Sequence, residues 1–153
     1  NTYKLYIFKF YDVNPATDAV LFTFNGSIDG GSNYDVTKTT TYASAYHRED
    51  DGDTGLTYWT AGDLAQSADP QILLGGASYD ADQGGAGTLH LFNPSSTTYV
   101  KHFYSTVQHS DNGDLSINGR IAGYFDNADN IDAVQFKMSS GNMDGVIKMY
   151  GVG

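Results

Sequence analysis

The sequence predicts an all-β fold, a β-sandwich of about 8–10 strands. Its 12 Tyr and 8 Phe, together with many Thr, are residue types that suit pleated, half-buried strands. Short apolar runs recur between turns formed by Gly, Asp, Asn and Pro, which is typical of a sandwich or barrel. Glu49 is the only glutamate among the acidic residues, and this bias toward Asp indicates few helices.

The individual strands follow from alternation of apolar and polar side chains. In the first strand Leu5 and Ile7 are expected on one face and Phe8 and Phe10 on the other, and later His90 is expected to point away from its leucine neighbours. The predicted strands are 3–11, 19–26, 34–46, 56–60, 71–75, 87–93, 98–109, 115–124, 131–138 and 145–151.

Two turn sequences stand out between these runs. Asp111-Asn112-Gly113-Asp114 lies between two alternating segments and predicts a hairpin. Asp144-Gly145 predicts a second turn, leading into the last strand.

The length predicts one domain, residues 1–153, because a chain of 153 residues can bury a core of its own. Asn1 is not a methionine and a strand follows almost at once, so we expect further residues upstream of Asn1. The long connections at 47–55 and 76–87 are expected either to carry function or to be mobile.

The charge limits the partners. A net charge of −10 argues against nucleic acid, which needs clustered Lys and Arg. No apolar run approaches the ~20 residues of a membrane helix, so no membrane insertion is expected. The chain has no Cys and therefore no disulfide.

Asp-rich loops suggest calcium as a cofactor. Two clusters group hard oxygen ligands of the kind that Ca²⁺ prefers, although neither has the bidentate acid or the flanking helices of the helix-loop-helix pattern. A solvated turn is the simpler interpretation of both. The candidate ligands are Asp50, Asp51, Asp53, Asp80 and Asp82.

The histidines and the search for catalytic motifs point away from an enzyme. His102 and His109 are seven residues apart, so on one regular strand they face opposite sides and form no metal pair. No nucleophile elbow, phosphate-binding loop or cysteine nucleophile is present, and we expect no catalytic residues.

Aromatic residues around the 47–55 loop are the candidate contacts with a protein interface or a glycan. Amphipathic rings are common in interfaces, and they stack on sugar rings when exposed. Packing within the sandwich is the alternative explanation. The four residues are Tyr42, Tyr46, Tyr58 and Trp59.

Most of the chain carries a recognisable series of motifs, in the segments 3–10, 14–18, 27–34, 89–94, 131–136, 139–142 and 145–152. In these segments the chain resembles a family of small structural proteins from tailed, often marine, bacteriophages. The resemblance is most specific at the C-terminus and loosest between residues 47 and 85, and the approach to the last strand is one residue shorter than usual in that family.

The resemblance implies an antiparallel jelly-roll-like β-sandwich and a non-enzymatic protein on the virion exterior. We expect a capsid decoration protein or a component of a tail or fibre, bound to other virion proteins and assembled as a homo-oligomer such as a trimer. The alternative is a carbohydrate-binding or host receptor-binding module that contacts a host surface glycan.

In the closing strand, Ile147 and Met149 are predicted to pack against Val134 and Phe136 of a neighbouring strand.

Overall fold

A computed structural model describes residues 2–153 and contains ten β-strands, each of which corresponds to one predicted segment. No described residue is helical, so the predicted all-β fold is confirmed. Within residues 2–153 no helix has the length and hydropathy needed to cross a membrane. What precedes Asn1 lies outside the described residues. The strands are β1 (Leu5–Pro15), β2 (Val20–Ser27), β3 (Lys38–Arg48), β4 (Thr54–Tyr58), β5 (Gln71–Ala77), β6 (Gly85–Phe92), β7 (Lys101–Ser110), β8 (Leu115–Phe125), β9 (Ala133–Met138) and β10 (Met143–Val152).

The strands form two antiparallel sheets. The larger sheet has seven strands in the order β10-β1-β6-β7-β8-β3-β4, and the smaller has three in the order β5-β2-β9. The apolar side chains of the two sheets pack between them, which makes the molecule a β-sandwich. The jelly-roll form of the sandwich stays a prediction.

Phenylalanine dominates the core between the sheets. Phe24 of the small sheet lies 4.9 Å from Phe103 and 5.9 Å from Phe125, between ring centroids, and both of those residues belong to the large sheet. Phe10 meets Phe22 at 5.3 Å in an edge-to-face arrangement. Such pairs add to the area that the rings bury, so this cluster holds the sheets together.

Alternation along the strands separates the two faces of the large sheet as predicted. Phe8 and Phe10 are buried, as are Leu89 and Leu91, whereas His90 between the leucines points to the opposite face. The Asp111–Asp114 hairpin is also confirmed, because it joins β7 to β8 directly.

The closing strand differs from the prediction. β10 pairs with β1 at the edge of the large sheet, whereas Val134 and Phe136 lie on β9 in the small sheet. Ile147 is half-buried against the core, but Met149 is 62% exposed, so its predicted burial is wrong. Met149 borders a cavity of about 160 Å³ together with Val134, and its position on an edge strand leaves it open to solvent.

Gly145 is a strand residue, so the turn predicted at Asp144-Gly145 is wrong. β10 already begins at Met143, and the preceding turn contains Gly141 with φ 71°. Gly145 has φ +128°, and a Cβ there would lie 2.8 Å from the Asp12 carbonyl oxygen. The pairing of β1 with β10 shifts register at this point, so glycine is needed for the close approach of the two backbones.

Two lysine side chains are buried on the inner side of the large sheet. Lys38 and Lys101 both pair with Phe125 and are both 0% exposed. The Lys38 ammonium donates to the Asp69 carbonyl oxygen at 2.6 Å, and the Lys101 ammonium donates to that of Asn127 at 2.9 Å. Burial lowers the pKa of Lys38 to about 8 and also lowers the pKa of Lys101.

Candidate binding surfaces

The outward side of β10, β1, β6, β7 and β8 in the large sheet is a broad surface to which the regularly paired parts of these strands contribute no acidic side chain. We define the outer face as the outward-pointing side chains of five strands: β10 from Val146 onward, β1 as far as Tyr11, and all of β6, β7 and β8. Within the strands of residues 2–153, Asp12 and Asp144 are the only acidic residues, and both lie at the irregular end of β1 and β10. The other acidic residues among 2–153 lie in the connections, so the strands themselves bring no negative charge to the outer face in a protein of net charge −10.

Aromatic side chains cover one half of the outer face. His90 stacks on Tyr104 with ring centroids 4.5 Å apart and an interplanar angle of 20°, and Phe92 lies 5.7 Å from the same tyrosine. On the next pair of strands His102 lies 5.9 Å from Tyr124. Tyr104 is 43% exposed and Phe92 is 37% exposed, so these rings face solvent while holding one another in place.

A depression in this half has a volume of about 420 Å³. Ala122 lies between Tyr104 on β7 and Thr41 on β3, and its short side chain leaves the space. Tyr124 and His102 also line the depression. A pocket bordered by aromatic rings is typical of the places where interface anchor residues bind.

Three basic side chains cross the outer face in one row. Lys148 pairs with Lys9, and the register continues through a threonine on β6 and another on β7 to Arg120 on β8. We call Lys148, Lys9 and Arg120 the basic row. Like charges directly opposite one another destabilise a sheet, so the pairing of Lys148 with Lys9 opposes folding.

Among residues 2–153 the basic row has no negatively charged partner. In the part of the chain that the structure describes, the ion pairs are His47–Asp51 and Arg48–Asp50, and neither involves this row. The Lys9 ammonium instead lies 5.5 Å from the Tyr150 ring centroid, and that of Lys148 lies 5.4 Å from Tyr11. Cation–π contacts at exposed sites are weak, which leaves the three charges available to an external anion.

A second site lies on the inner side of the large sheet. The small sheet ends at β5, so part of the inner side of β3, β4 and β8 is not covered. The opening is a cavity of about 310 Å³, which we call the Trp59 cavity. Its apolar wall consists of Tyr42, Trp59 and Ile117. Trp59 packs against Gly75, where a Cβ would lie 2.5 Å from Trp59 Cη2.

The polar wall of the Trp59 cavity contains Ser44, Thr57, His109 and Asp111. His109 Nε2 lies 2.9 Å from the Gly75 carbonyl oxygen, which can only accept, so Nε2 carries the proton and Nδ1 is an acceptor. Nδ1 is buried and has no hydrogen-bond partner among the described residues. Burial also lowers the pKa of His109, which favours this neutral form.

Asp111 has one oxygen committed to the hairpin and one that is not. Its Oδ1 accepts from the backbone N–H groups of Gly113 and Leu115, both at 2.9 Å. No described donor reaches Oδ2. The β7–β8 turn therefore fixes the orientation of a carboxylate at the cavity wall.

The four aromatic residues singled out in the sequence do not form one platform. Tyr42 is buried and donates its hydroxyl to the Leu73 carbonyl oxygen at 3.0 Å, and burial raises its pKa to about 12. Trp59 lies edge-to-face against Tyr42 with centroids 4.9 Å apart, and both border the Trp59 cavity. Tyr46 is half-buried on the inner side, above Gly55.

Tyr58 lies on the other side of the sheet from Trp59. It pairs with Ala43, is 50% exposed and donates its hydroxyl to Asp63 Oδ2 at 2.5 Å. This hydrogen bond raises the pKa of Tyr58. Tyr58 therefore cannot act together with Trp59 on one ligand.

The predicted calcium ligands do not converge. Asp50 Oδ1 accepts from the Gly52 N–H at 2.9 Å, and Asp51 Oδ1 lies 2.9 Å from His47 Nε2. Asp53 lies in the same β3–β4 connection, whereas Asp80 and Asp82 lie in the connection between β5 and β6. Among residues 2–153 no three acidic or histidine side chains are close enough together to hold a metal ion.

Sequence reasoning did not single out either the outer face or the polar wall of the Trp59 cavity. The alternation of Lys101–Ser110 could have indicated that His102 and Tyr104 share an outward face, since Phe103 between them is buried. The cavity depends on strands far apart in sequence, and no local pattern brings Trp59 to Asp111.

No protein-family model, curated protein or solved structure matches this chain.

Proposed function

We propose that this chain is a non-enzymatic structural protein on the exterior of a tailed-phage virion, bound to another virion protein through its outer face. The observation that carries the proposal is the acid-free, aromatic outer face with its unpaired basic row. The sequence resemblance to phage structural proteins supplies the biological setting. A capsid decoration protein and a tail or fibre component are both compatible with such a surface.

The contact chemistry favours an acidic, partly apolar protein surface as the partner. The basic row offers three cations that have no acidic partner among residues 2–153, and electrostatic complementarity of this kind steers association and fixes orientation. The aromatic half supplies apolar area, and the depression at Ala122 accepts a projecting side chain. Nucleic acid is the less suitable polyanion because the net charge of −10 repels it outside this face.

Assembly as a homo-oligomer, such as a trimer, is part of the proposal. A net charge of −10 keeps copies of the chain apart unless a specific contact joins them. Mass photometry of the purified chain tests this point directly, with discrete trimers expected.

Quantitative mass spectrometry of purified particles tests the virion role. We expect the chain in a fixed copy number that matches the symmetry of a capsid or a tail, and cryo-EM of the same particles should show the outer face against a neighbouring protein. Absence of the chain from intact particles, together with a strictly monomeric state in solution, would contradict the proposal.

A further inference from the structure

We infer that the Trp59 cavity is a binding site for one neutral sugar ring of a glycan. The inference is independent of the proposed virion role, because the cavity and the outer face lie on opposite sides of the large sheet. Its volume of about 310 Å³ is at the lower limit of the ~300–1,000 Å³ typical of ligand sites. A single small, rigid ring is therefore a better match than a peptide.

The two walls of the cavity correspond to the two chemical characters of a pyranose. Trp59 and Ile117 form an apolar wall for the C–H groups of the ring, and an indole is well suited to this contact. The opposite wall is polar. This combination of an aromatic surface with a few placed polar groups is the usual composition of a small-molecule site.

The polar wall has hydrogen-bonding capacity that the protein itself does not use. Asp111 and Ser44 line the cavity, and neither Asp111 Oδ2 nor the Ser44 hydroxyl has a protein partner among the described residues. Sugar hydroxyl groups donate and accept hydrogen bonds, so they can pair with both groups. The Thr57 hydroxyl donates weakly, at 3.3 Å, to the Tyr58 carbonyl oxygen.

The charge of the cavity selects among sugars. The Asp111 carboxylate is at the wall, the neighbouring His109 is held neutral by burial, and the protein as a whole carries a charge of −10. Sugar acids would bring a second carboxylate close to Asp111, which electrostatic repulsion opposes. We therefore expect neutral glycosides to bind and the matching uronic acid glycosides to bind at least about ten-fold more weakly.

NMR titration of the intact chain tests the inference with methyl glycosides of glucose, galactose and N-acetylglucosamine, and with methyl glucuronide. At concentrations on the order of 10 mM, saturable shifts are expected at Trp59, Gly75, Gly76 and Ile117. Trp59→Ala should weaken binding at least about ten-fold, whereas Tyr99→Ala, at an exposed tyrosine outside the cavity, should leave it unchanged.

Asp111→Asn separates the ligand contact from folding. An asparagine retains an oxygen in the Oδ1 position that accepts from Gly113 and Leu115, so the hairpin should be preserved. The variant should lose affinity for methyl glucoside and bind methyl glucuronide nearly as well as methyl glucoside. If Trp59→Ala does not fold, Ser44→Ala replaces it as the test. This variant leaves Trp59 in place and should weaken glycoside binding a few-fold.

The inference is wrong if none of the three neutral glycosides produces saturable shifts at the cavity residues. It is also wrong if the shifts occur but Trp59→Ala and Ser44→Ala both bind as the native chain does. Either result would leave the virion proposal intact, because particle association is measured at the outer face.

Discussion

The two faces of the large sheet are made by the same strands and yet have opposite chemistry. The inner face carries phenylalanine and leucine, and its centre is covered by the small sheet. The outer face carries tyrosine, histidine, lysine and arginine, and no other sheet covers it. Because side chains alternate with a period of two, neighbouring residues such as Phe103 and Tyr104 contribute to stability and to recognition separately. The comparison predicts that substitutions on the inner face lower the free energy of unfolding, whereas substitutions on the outer face weaken binding to the partner protein.

The largest effect is expected for the inner phenylalanines. Phe24→Ala should lower the free energy of unfolding by about 3–5 kcal/mol, because a buried ring is removed from contact with Phe103 and Phe125. Phe92→Ala on the outer face is the matched control and should cost less than about 1.5 kcal/mol. Chemical denaturation of both variants measures the difference, and equal losses would contradict the separation of the two faces.

A smaller effect is expected from the buried Lys38 and depends on pH. Its pKa is about 8 in the folded protein and 10.5 ordinarily, so between these values the unfolded chain binds more protons. Stability should therefore rise with pH across this window, by about 1–2 kcal/mol between pH 8 and 9.5. Tyr42, whose pKa is raised to about 12, acts in the opposite direction only above about pH 10.

Lys38→Met isolates this contribution, and Lys9→Met on the outer face is its control. Denaturation between pH 7 and 9.5 should show the rise in the native chain and in Lys9→Met, and a reduced rise in Lys38→Met. An identical pH dependence in all three proteins would contradict the account of Lys38.

The smallest effect on stability is expected for Tyr104 on the outer face. Tyr104→Ala removes the stacking with His90 and should cost about 0.5–1 kcal/mol, measured by thermal denaturation. The same variant should lose most of its affinity for virus particles, since it removes the exposed ring beside the depression at Ala122. If Tyr104→Ala bound particles as well as the native chain does, the depression would not be part of the interface.

The strands could be predicted from the sequence because the signals that define them are local. Alternation placed Phe8 and Phe10 together on one face, which the structure shows to be the inner one, and Asp111–Asp114 identified the β7–β8 hairpin. The partners of each strand depend on long-range pairing, and so the position of β10 beside β1 instead of β9 was not predictable. Gly145 was wrongly predicted to lie in a turn for the same reason. An Asp-Gly pair serves equally in a turn or at a close approach of two strands, and only the pairing of the strands distinguishes the two.

The candidate sites were predicted only in part for the same reason. Trp59 and Tyr42 do border one cavity, but Asp111 and His109 join them from a hairpin that is distant in the sequence. The basic row could not be predicted from the linear sequence. Only the register of the paired strands aligns Lys9, Arg120 and Lys148 on one surface.

The central claim is that the outer face binds a virion protein through the basic row. The most direct measurement is cosedimentation of the double variant Lys9→Glu/Arg120→Glu with particles from which the native chain has been removed, beside Lys137→Glu, an exposed lysine on the small sheet. The account predicts that the double variant folds but loses at least about ten-fold in affinity, while Lys137→Glu binds as the native chain does. Undiminished binding by the double variant would contradict it.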